Sequence, residues 1–595
     1  MSSNKACCWI LGILAGGFVL TMLLVGWGIS RAISGGFNAD FGSSVTVKPN
    51  TWLVFRVSGS VPDYSVDPDL GFLGGSGGSS LNDMLRAIEI AKKDPNITGI
   101  VLRPIGANGF ATLAELRNAL LEFKDTDKPI YTHFDVATDR DYYLASVSDS
   151  IFMMPGRLSG INFGGLAYSN TYVKSTFEKI GLKFHVIHAG KYKGAFEDLA
   201  RDSMSAEVRQ NIMTLYSDVY DTYIRETAQS RAGLTFEELD NELRHGTNFI
   251  VGGAECLQKG YVDALIEWPV LRKRLQGESK EFEALSAHAY LSAKKWTDVD
   301  KKKSKVAVVY AQGEINFSED DSPWGGDEIT ASGMTKQLDK LAEDDDVEAV
   351  VLRVNSPGGS ALASKQILAA AIRLQEKKPL MVSMGRVAAS GGYYISASAD
   401  AIVAQPNTIT GSIGVVSVIP SAEELYRKIG AREETISIGR WANFFRFDKT
   451  LGPEQEQVLV SLMDSVYLEF KEDVVAGRGM SLVSLDSIAE GRVWTGNQAL
   501  ERGLVDTLGG VDVAINMAAA KANLAQDSYT ISYYPRKKDI FEFLAGKFLT
   551  RIGDLVKLGN DIQNLQSPTA LIAYMKNYFD RFEFLQALLP VSIDA

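Results

Sequence analysis

The sequence predicts an α/β protein made of two similar units that follow an apolar N-terminal helix. Three observations predict it: an uncharged span near the start, short valine-rich strands alternating with amphipathic helices, and a long match of the chain to itself. At 595 residues the chain is too long for one ordinary core. It divides into a cytoplasmic tip, transmembrane anchor and linker (1–45), a first α/β domain (46–300), a second α/β domain (301–530) and a helical C-terminal extension (531–595).

The apolar span runs from Ala6 to Ser30 without a charge. At ~1.5 Å per residue it rises roughly 38 Å, enough to cross a bilayer with some tilt. Lys5 and the amino terminus flank one side, Arg31 and then Asp40 the other, which favours a cytoplasmic N-terminus and an external body. A cleaved signal peptide is the rival reading. Its apolar core would be shorter, and no A-x-A site closes this run.

The alternating pattern is clearest in the second unit. Ala307 to Ala311 and Ala349 to Leu352 read as short buried strands. Between them, Leu338 and Leu341 give Thr335 to Ala342 helical spacing; beyond them, Ala361 to Leu374 places Ile367, Ala371 and Leu374 on one helical face. Lys301 to Lys305 is a basic run at the join and reads as a solvated linker.

The self-match ties the two units together. Leu53 to Val57 corresponds to Ala307 to Ala311, and Ile100 to Arg103 corresponds to Val350 to Arg353. The longest match aligns Tyr142 to Ile151 with Tyr393 to Ile402 without a gap. Three segments in one order at nearly one offset are more than valine-rich strands give by chance.

Composition narrows the function. The apolar fraction is 46% and the charged fraction 23%, and a formal charge of -12 argues against a nucleic-acid partner. Of Cys7, Cys8 and Cys256, only the last lies in the body, so no internal disulfide framework is expected. All five histidines, His133, His185, His188, His245 and His288, lie in the first unit or just beyond. His185 and His188 are too few for a convincing metal site.

Chemistry-bearing residues concentrate in three places. Asn355-Ser356-Pro357-Gly358-Gly359 leaves a strand and precedes a helix; it reads as an anion nest or as a plain turn. Ser390, followed by Gly391 and Gly392, can expose a hydroxyl and an adjacent backbone N–H, the parts of an acyl-transfer site, or can simply cap a helix. With no histidine in the second unit, lysine becomes the leading base, provided burial lowers its pKa. Lys193 in Gly190-Lys191-Tyr192-Lys193 has small and aromatic neighbours, although composition alone favours a solvated surface lysine.

Together, N-S-P-G-G at Asn355 to Gly359, A-S-G-G-Y-Y at Ala389 to Tyr394, T-G-S-I-G at Thr410 to Gly414 and G-K-Y-K at Gly190 to Lys193 resemble the long-form signal peptide peptidase A (protease IV) family. The resemblance spans essentially the whole chain. It implies tandem Clp/crotonase-like α/β domains and a serine endopeptidase with a Ser-Lys dyad. Ser390 would be the nucleophile, Lys193 the base, Ser412 the base-orienting group, and Gly391 with Gly358 and Gly359 the oxyanion hole. It further implies peptide substrates that include cleaved signal peptides, no metal or other cofactor, and a homotetramer. The placement would be the bacterial inner membrane, with one pass and the catalytic body facing the periplasm.

The self-match supports this division of labour. Ser390 falls opposite Asp139, Gly391-Gly392 opposite Arg140-Asp141, and Gly358-Gly359 opposite Asn108-Gly109. Gly190 to Lys193 falls opposite Gly439 to Ala442, so each unit lacks what the other carries. A protease acting mainly on membrane proteins would use the same groups. A crotonase-like acyl-CoA enzyme would share the fold without needing the Ser390–Lys193 pair, and an inactive scaffold would need neither. The apolar pattern Phe541, Leu544, Phe548, Ile552 and Leu555 predicts a C-terminal helix that packs on the body or lies on a membrane. The anchor reading predicts that the intact chain stays with membranes through alkaline carbonate washing; release of most of it would overturn that reading.

Overall fold

The valine-rich segments form strands because β-branched side chains suit the pleated backbone, and their unbroken apolar runs suit a sheet covered on both faces. The computed structural model describes residues 46–66, 79–277, 279, 281–294, 304–317, 328–526 and 528–537, with the strand Gln586–Leu588. The anchor span Ala6–Ser30 and the apolar pattern from Phe541 to Leu555 lie outside them. Among the described residues no helix is long and apolar enough to cross a membrane.

Two sheets share one order of six parallel strands; the second adds Ile409–Gly411 beside Val387–Ala389 and, antiparallel to it, Val493–Thr495. The first runs Ala284–Leu285, Thr51–Ser60, Ile97–Asn108, Ile130–Phe134, Ser150–Met153, Ala264–Leu265. The second runs Thr530–Tyr534, Lys305–Gln312, Val347–Ser356, Leu380–Ala389, Ala401–Ala404, Thr507–Leu508. The self-matched segments occupy equivalent strands: Val54 pairs with Val101 in one sheet and Val308 with Val351 in the other.

The helices expected in the second unit form as Ala331–Glu343 and Ala361–Gln375. The latter begins where Ser360 Oγ accepts a hydrogen bond from the Ala363 N–H at 3.1 Å, satisfying one of the donors that an open helix end leaves unpaired.

Two departures concern the end of the chain. The 530/531 boundary falls inside the strand Thr530–Tyr534, which pairs with Lys305–Val309. Its β-branched and aromatic residues Thr530, Ile531, Tyr533 and Tyr534 favour a strand over a helix. Gln586–Leu588 is also a strand, not helix: it pairs antiparallel with Gly358–Ser360 and meets Val416 on its other side.

The sheets are joined by contacts that bury charge. Arg353, on the central strand of the second sheet, meets Asp63 at 2.9 Å and Glu115 at 2.6 Å, and all three side chains are at most 2% exposed. Ser383 Oγ accepts another guanidinium N–H at 2.8 Å, while Glu115 accepts the Val511 N–H at 2.7 Å. Backbone pairing joins the two parts as well: Lys183–Ala189 lies antiparallel to Val415–Ser421, so a strand from early in the chain completes a sheet built mainly from later residues.

A buried ion cluster tolerates loss of one member poorly, because the remaining charge keeps its desolvation penalty. Arg353→Met should therefore lower stability by about 3–5 kcal/mol, read from the urea midpoint. A midpoint unchanged from the parent would remove this cluster as a joint between the sheets.

Candidate active site

Ser390 sits at the elbow between Leu380–Ala389 and the short helix Gly391–Tyr394, with φ 56° and ψ −115°. For a residue with a Cβ this conformation costs of the order of 1–3 kcal/mol, and it persists only where the surroundings enforce it. One enforcing contact is the Ser390 N–H donating to the Gly411 carbonyl at 2.8 Å. Close packing is another. A Cβ on Gly391 would lie 2.6 Å from Ser364 Oγ and 3.1 Å from Gly358 Cα, so only glycine lets this helix seat on the Gly358 turn. Gly391 opens its helix, and its N–H therefore has no partner within it.

Lys193 reaches Ser390 from the other part of the chain. Its loop follows the crossing strand Lys183–Ala189, and its Nζ lies 2.6 Å from Ser390 Oγ. The amine also donates to the Ser412 carbonyl at 3.0 Å and to Ser412 Oγ at 3.1 Å. Ser390 and Ser412 are fully buried and Lys193 is 2% exposed. Among the described residues no ion pair involves Lys193, and burial alone holds its ammonium form well below lysine's ordinary range.

Gly358 and Gly359 lie against the same helix, with the Gly358 N–H donating to Ser356 Oγ at 3.2 Å. The residues singled out from sequence thus converge: Ser390, Lys193 and Ser412 by hydrogen bonds, and Gly391 with Gly358 and Gly359 by backbone packing. Two of the histidines are engaged elsewhere. His133 bonds the Ile266 carbonyl at 2.9 Å and His185 meets Thr450 Oγ1 at 2.7 Å. Among the described residues no cluster of histidine, cysteine and carboxylate could hold a metal.

The matching place in the first sheet is filled rather than empty. Asp139 begins the helix Asp139–Ala145 where Ser390 precedes Gly391–Tyr394. Burial, partly offset by the N–H groups of Gly165 and Gly164, pushes its carboxyl up to about 6. Two residues on, Asp141 Oδ2 accepts the Gly106 N–H at 3.0 Å and Oδ1 the Ala107 N–H at 2.9 Å. Those are N–H groups of the turn that aligns with Ser356 to Gly359. Asp141 thus ties down the two residues that precede Asn108-Gly109, the pair opposite Gly358-Gly359. The self-match places Asp141 opposite Gly392 but gives no sign that its side chain turns onto that loop.

Two supporting contacts carry no sequence signal of their own. Gly491 packs on the lysine loop so closely that a Cβ there would lie 2.6 Å from Lys193 Cβ, at a φ of 78°. Asn355 Oδ1 accepts the Val387 N–H at 3.2 Å, bracing the glycine turn against the serine strand. Neither motif spacing nor hydrophobic period could have revealed either contact.

A serine, a lysine and a glycine turn brought together in this way suit a serine hydrolase. Comparison with known proteins agrees. The family model described as Peptidase family S49 matches residues 122–280 and 372–525. Protease 4 of Haemophilus influenzae is 34% identical over 460 residues, covering 75% of this chain and 74% of that protein. Protease 4 of Salmonella typhi is 33% identical over 553 residues, covering 89% and 86%. The chloroplastic serine protease SPPA of Arabidopsis thaliana is 32% identical over 455 residues, covering 75% and 66%. The class is that of the serine proteases, of signal peptide peptidase type. The chain belongs to peptidase family S49.

Asp139 in the place of Ser390 predicts one reactive serine per chain. An acylating serine-directed probe, followed by peptide mass mapping, should place the label on Ser390. Stoichiometric label within residues 46–300 would overturn this.

Proposed function

We propose that this chain is a serine endopeptidase with a Ser390–Lys193 dyad, cutting cleaved signal peptides and other unfolded peptides at the extracytoplasmic face of a membrane. The observation that carries the proposal is the 2.6 Å approach of a buried lysine amine, without a counter-ion, to the hydroxyl of a strained serine. The domains would be two Clp/crotonase-like units, 46–300 carrying the base and 301–530, extended by the strand to Tyr534, carrying the nucleophile. The span before residue 46 would be the anchor, in the bacterial inner membrane with the body facing the periplasm, and the active form a homotetramer.

A neutral lysine amine has two N–H bonds and one lone pair. With the N–H bonds given to the carbonyl and hydroxyl of Ser412, the lone pair is left for the Ser390 hydroxyl. Ser390 Oγ attacks the scissile carbonyl carbon as Lys193 takes its proton. The oxyanion would be held by the N–H of Gly391 and by the Gly358–Gly359 turn, whose weak 3.2 Å bond to Ser356 a substrate oxygen can displace. Collapse breaks the C–N bond, and the Lys193 ammonium returns the proton to the leaving amine. Water then hydrolyses the acyl-enzyme with Lys193 again as base.

The substrate's extended form has support in the strand Gln586–Leu588. It lies in the slot between Gly358–Ser360 and Val416, beside the proposed oxyanion turn, with its backbone paired on both sides. A slot that accepts one extended backbone suits an unfolded peptide read through main-chain hydrogen bonds.

Lys193→Ala and Ser390→Ala should each abolish most peptidase activity in folded protein, as should Lys193→Arg, because a guanidinium stays protonated. Ser412→Ala should cost about 10- to 100-fold in kcat/KM. Activity should rise with pH through the depressed pKa of Lys193, since only the neutral amine is a base. The same shift has an opposite sign for stability. Below lysine's ordinary pKa of about 10.4 the unfolded chain binds a proton that the folded chain refuses, so folding is penalised at neutral pH. Lys193→Met should therefore be inactive yet more stable at pH 7, with the gain fading toward that pKa. Hydrolysis of a denatured peptide by folded Lys193→Ala at near parental kcat/KM would eliminate the base assignment.

A further inference from the structure

A base supplied by one part of the chain and a nucleophile supplied by another need something to fix their relative position. Three residues, Glu490-Gly491-Arg492, touch both. The Tyr192 N–H donates to the Glu490 carbonyl at 2.8 Å, and the Gly491 N–H donates to the Ile413 carbonyl at 2.8 Å. The Arg492 carbonyl accepts the Ser412 N–H at 2.6 Å. Lys191 pairs with Glu490 at 2.9 Å, although both are too exposed for that pair to contribute much. Glu490 and Gly491 hold φ of 55° and 78°, which turns the three residues into a tight bracket.

Most of these contacts are main chain and would survive substitution. The side chain of Arg492 is different. Its guanidinium lies 3.8 Å from the centre of the Tyr192 ring, and Nη2 donates to the Tyr192 hydroxyl at 2.6 Å. The ring of Trp494 lies 5.8 Å from the same guanidinium. Arg492 thus grips by its carbonyl the serine that anchors the Lys193 amine. By its side chain it grips the residue next to Lys193. Tyr192 is 7% exposed, so the grip is sheltered from water and a cation over its ring is worth more than at an open surface.

We propose that Arg492 is a positioning residue for Lys193: through Tyr192 it clamps the lysine loop onto the bracket and keeps water from the amine. The proposal rests on the reading of Lys193 as the base. Arg492 does not touch Ser390, and substrate need not touch Arg492. Its loss should therefore loosen the base without removing it. A loosened loop admits water to Lys193, favours the ammonium form and moves the pH at which the enzyme becomes active upward. The titratable and charged groups around the base are Lys191 and Tyr192 on its own loop, His188 and Glu197 on the flanking elements, and Glu490 and Arg492 on the bracket. Of these, only Arg492 is altered by the substitutions below, apart from the phenol in Tyr192→Phe and the base itself in the Lys193→Ala control.

The experiment is the pH profile of kcat and KM on a denatured peptide for Arg492→Met, Arg492→Lys, Tyr192→Phe and Lys193→Ala in the full-length protein, each checked for folding by circular dichroism. Arg492→Met keeps the apolar stem but loses the stacking cation and the donor. Its kcat at pH 7 should fall about 10-fold or more, with KM changed less than about 3-fold. Its acidic limb should move up by about one pH unit, so activity recovers at high pH. Arg492→Lys, which keeps the charge, and Tyr192→Phe, which keeps the ring, should each shift the limb less. A folded Arg492→Met whose limb stays at the parental pH would overturn the proposal, whatever its kcat. If Arg492→Met fails to fold, Tyr192→Phe and Arg492→Lys decide the matter: a raised limb in either supports the clamp, and an unmoved limb in both refutes it. Activity in folded Lys193→Ala would instead bring down the base assignment itself. Inactive Lys193→Ala with an unmoved Arg492 limb refutes only this inference.

Discussion

A lysine amine buried without a counter-ion between two serine hydroxyls is the constraint on which the rest of the structure depends. Burial of an ammonium is costly, and a carboxylate partner would relieve it but would also fix the proton on nitrogen. This site takes the other course. Ser412 offers two neutral acceptors at 3.0 and 3.1 Å, enough to orient the amine without holding its charge. The arrangement survives only if the walls around it are closed and stiff. The crossing strand Lys183–Ala189 and the glycine contacts at Gly391 and Gly491 serve that end.

The same constraint explains why two equivalent sheets hold one such centre. A base can be delivered to a nucleophile only where the two parts of the chain meet, and the lysine loop enters from the first part into the second. The reverse delivery has no group to make it: the region aligned with the lysine loop carries Trp441 and Ala442. Without a base, a serine opposite Ser390 would have no partner. Asp139 and Asp141 stand there instead, with Asp141 satisfying the Gly106 and Ala107 N–H groups. Buried donors left unpaired are expensive. Asp141 therefore stabilises the first-sheet turn by pairing two of its N–H groups.

Much of the strand framework is legible in the sequence because it is local and repeated. Leu53 to Val57 and Ala307 to Ala311 have the pattern of buried strands, and their shared offset points to a shared sheet order. Ser390, Lys193 and Ser412 stand out through motifs that resemble a known family, whereas composition alone leaves Lys193 a surface residue. What stays hidden is non-local. Arg492 and Tyr192 are 300 positions apart, and neither has a periodic or motif signal that names the other. Thr530–Tyr534 straddles the expected domain end because a short edge strand carries little pattern, although its β-branched and aromatic residues are visible. Asp141 reads in the sequence as the loss of a glycine, not as a carboxylate with somewhere to go.

These non-local contacts bear on how the centre holds its precision. Ser390 at φ 56° and Ser412 at φ 52° are both in conformations that residues with a Cβ resist, and each is held by one backbone N–H bond, to Gly411 and to Arg492. Strain of this kind is retained only where neighbouring backbone leaves no room to relax. Glycine supplies that closeness: a side chain at Gly491 would collide with Lys193, and one at Gly391 with the turn below it. Main-chain packing thus sets the geometry, while Lys193, as the proposed base, would set the chemistry. The two are coupled, because any opening wide enough to relax a strained serine also admits the water that would return the lysine to its ammonium form.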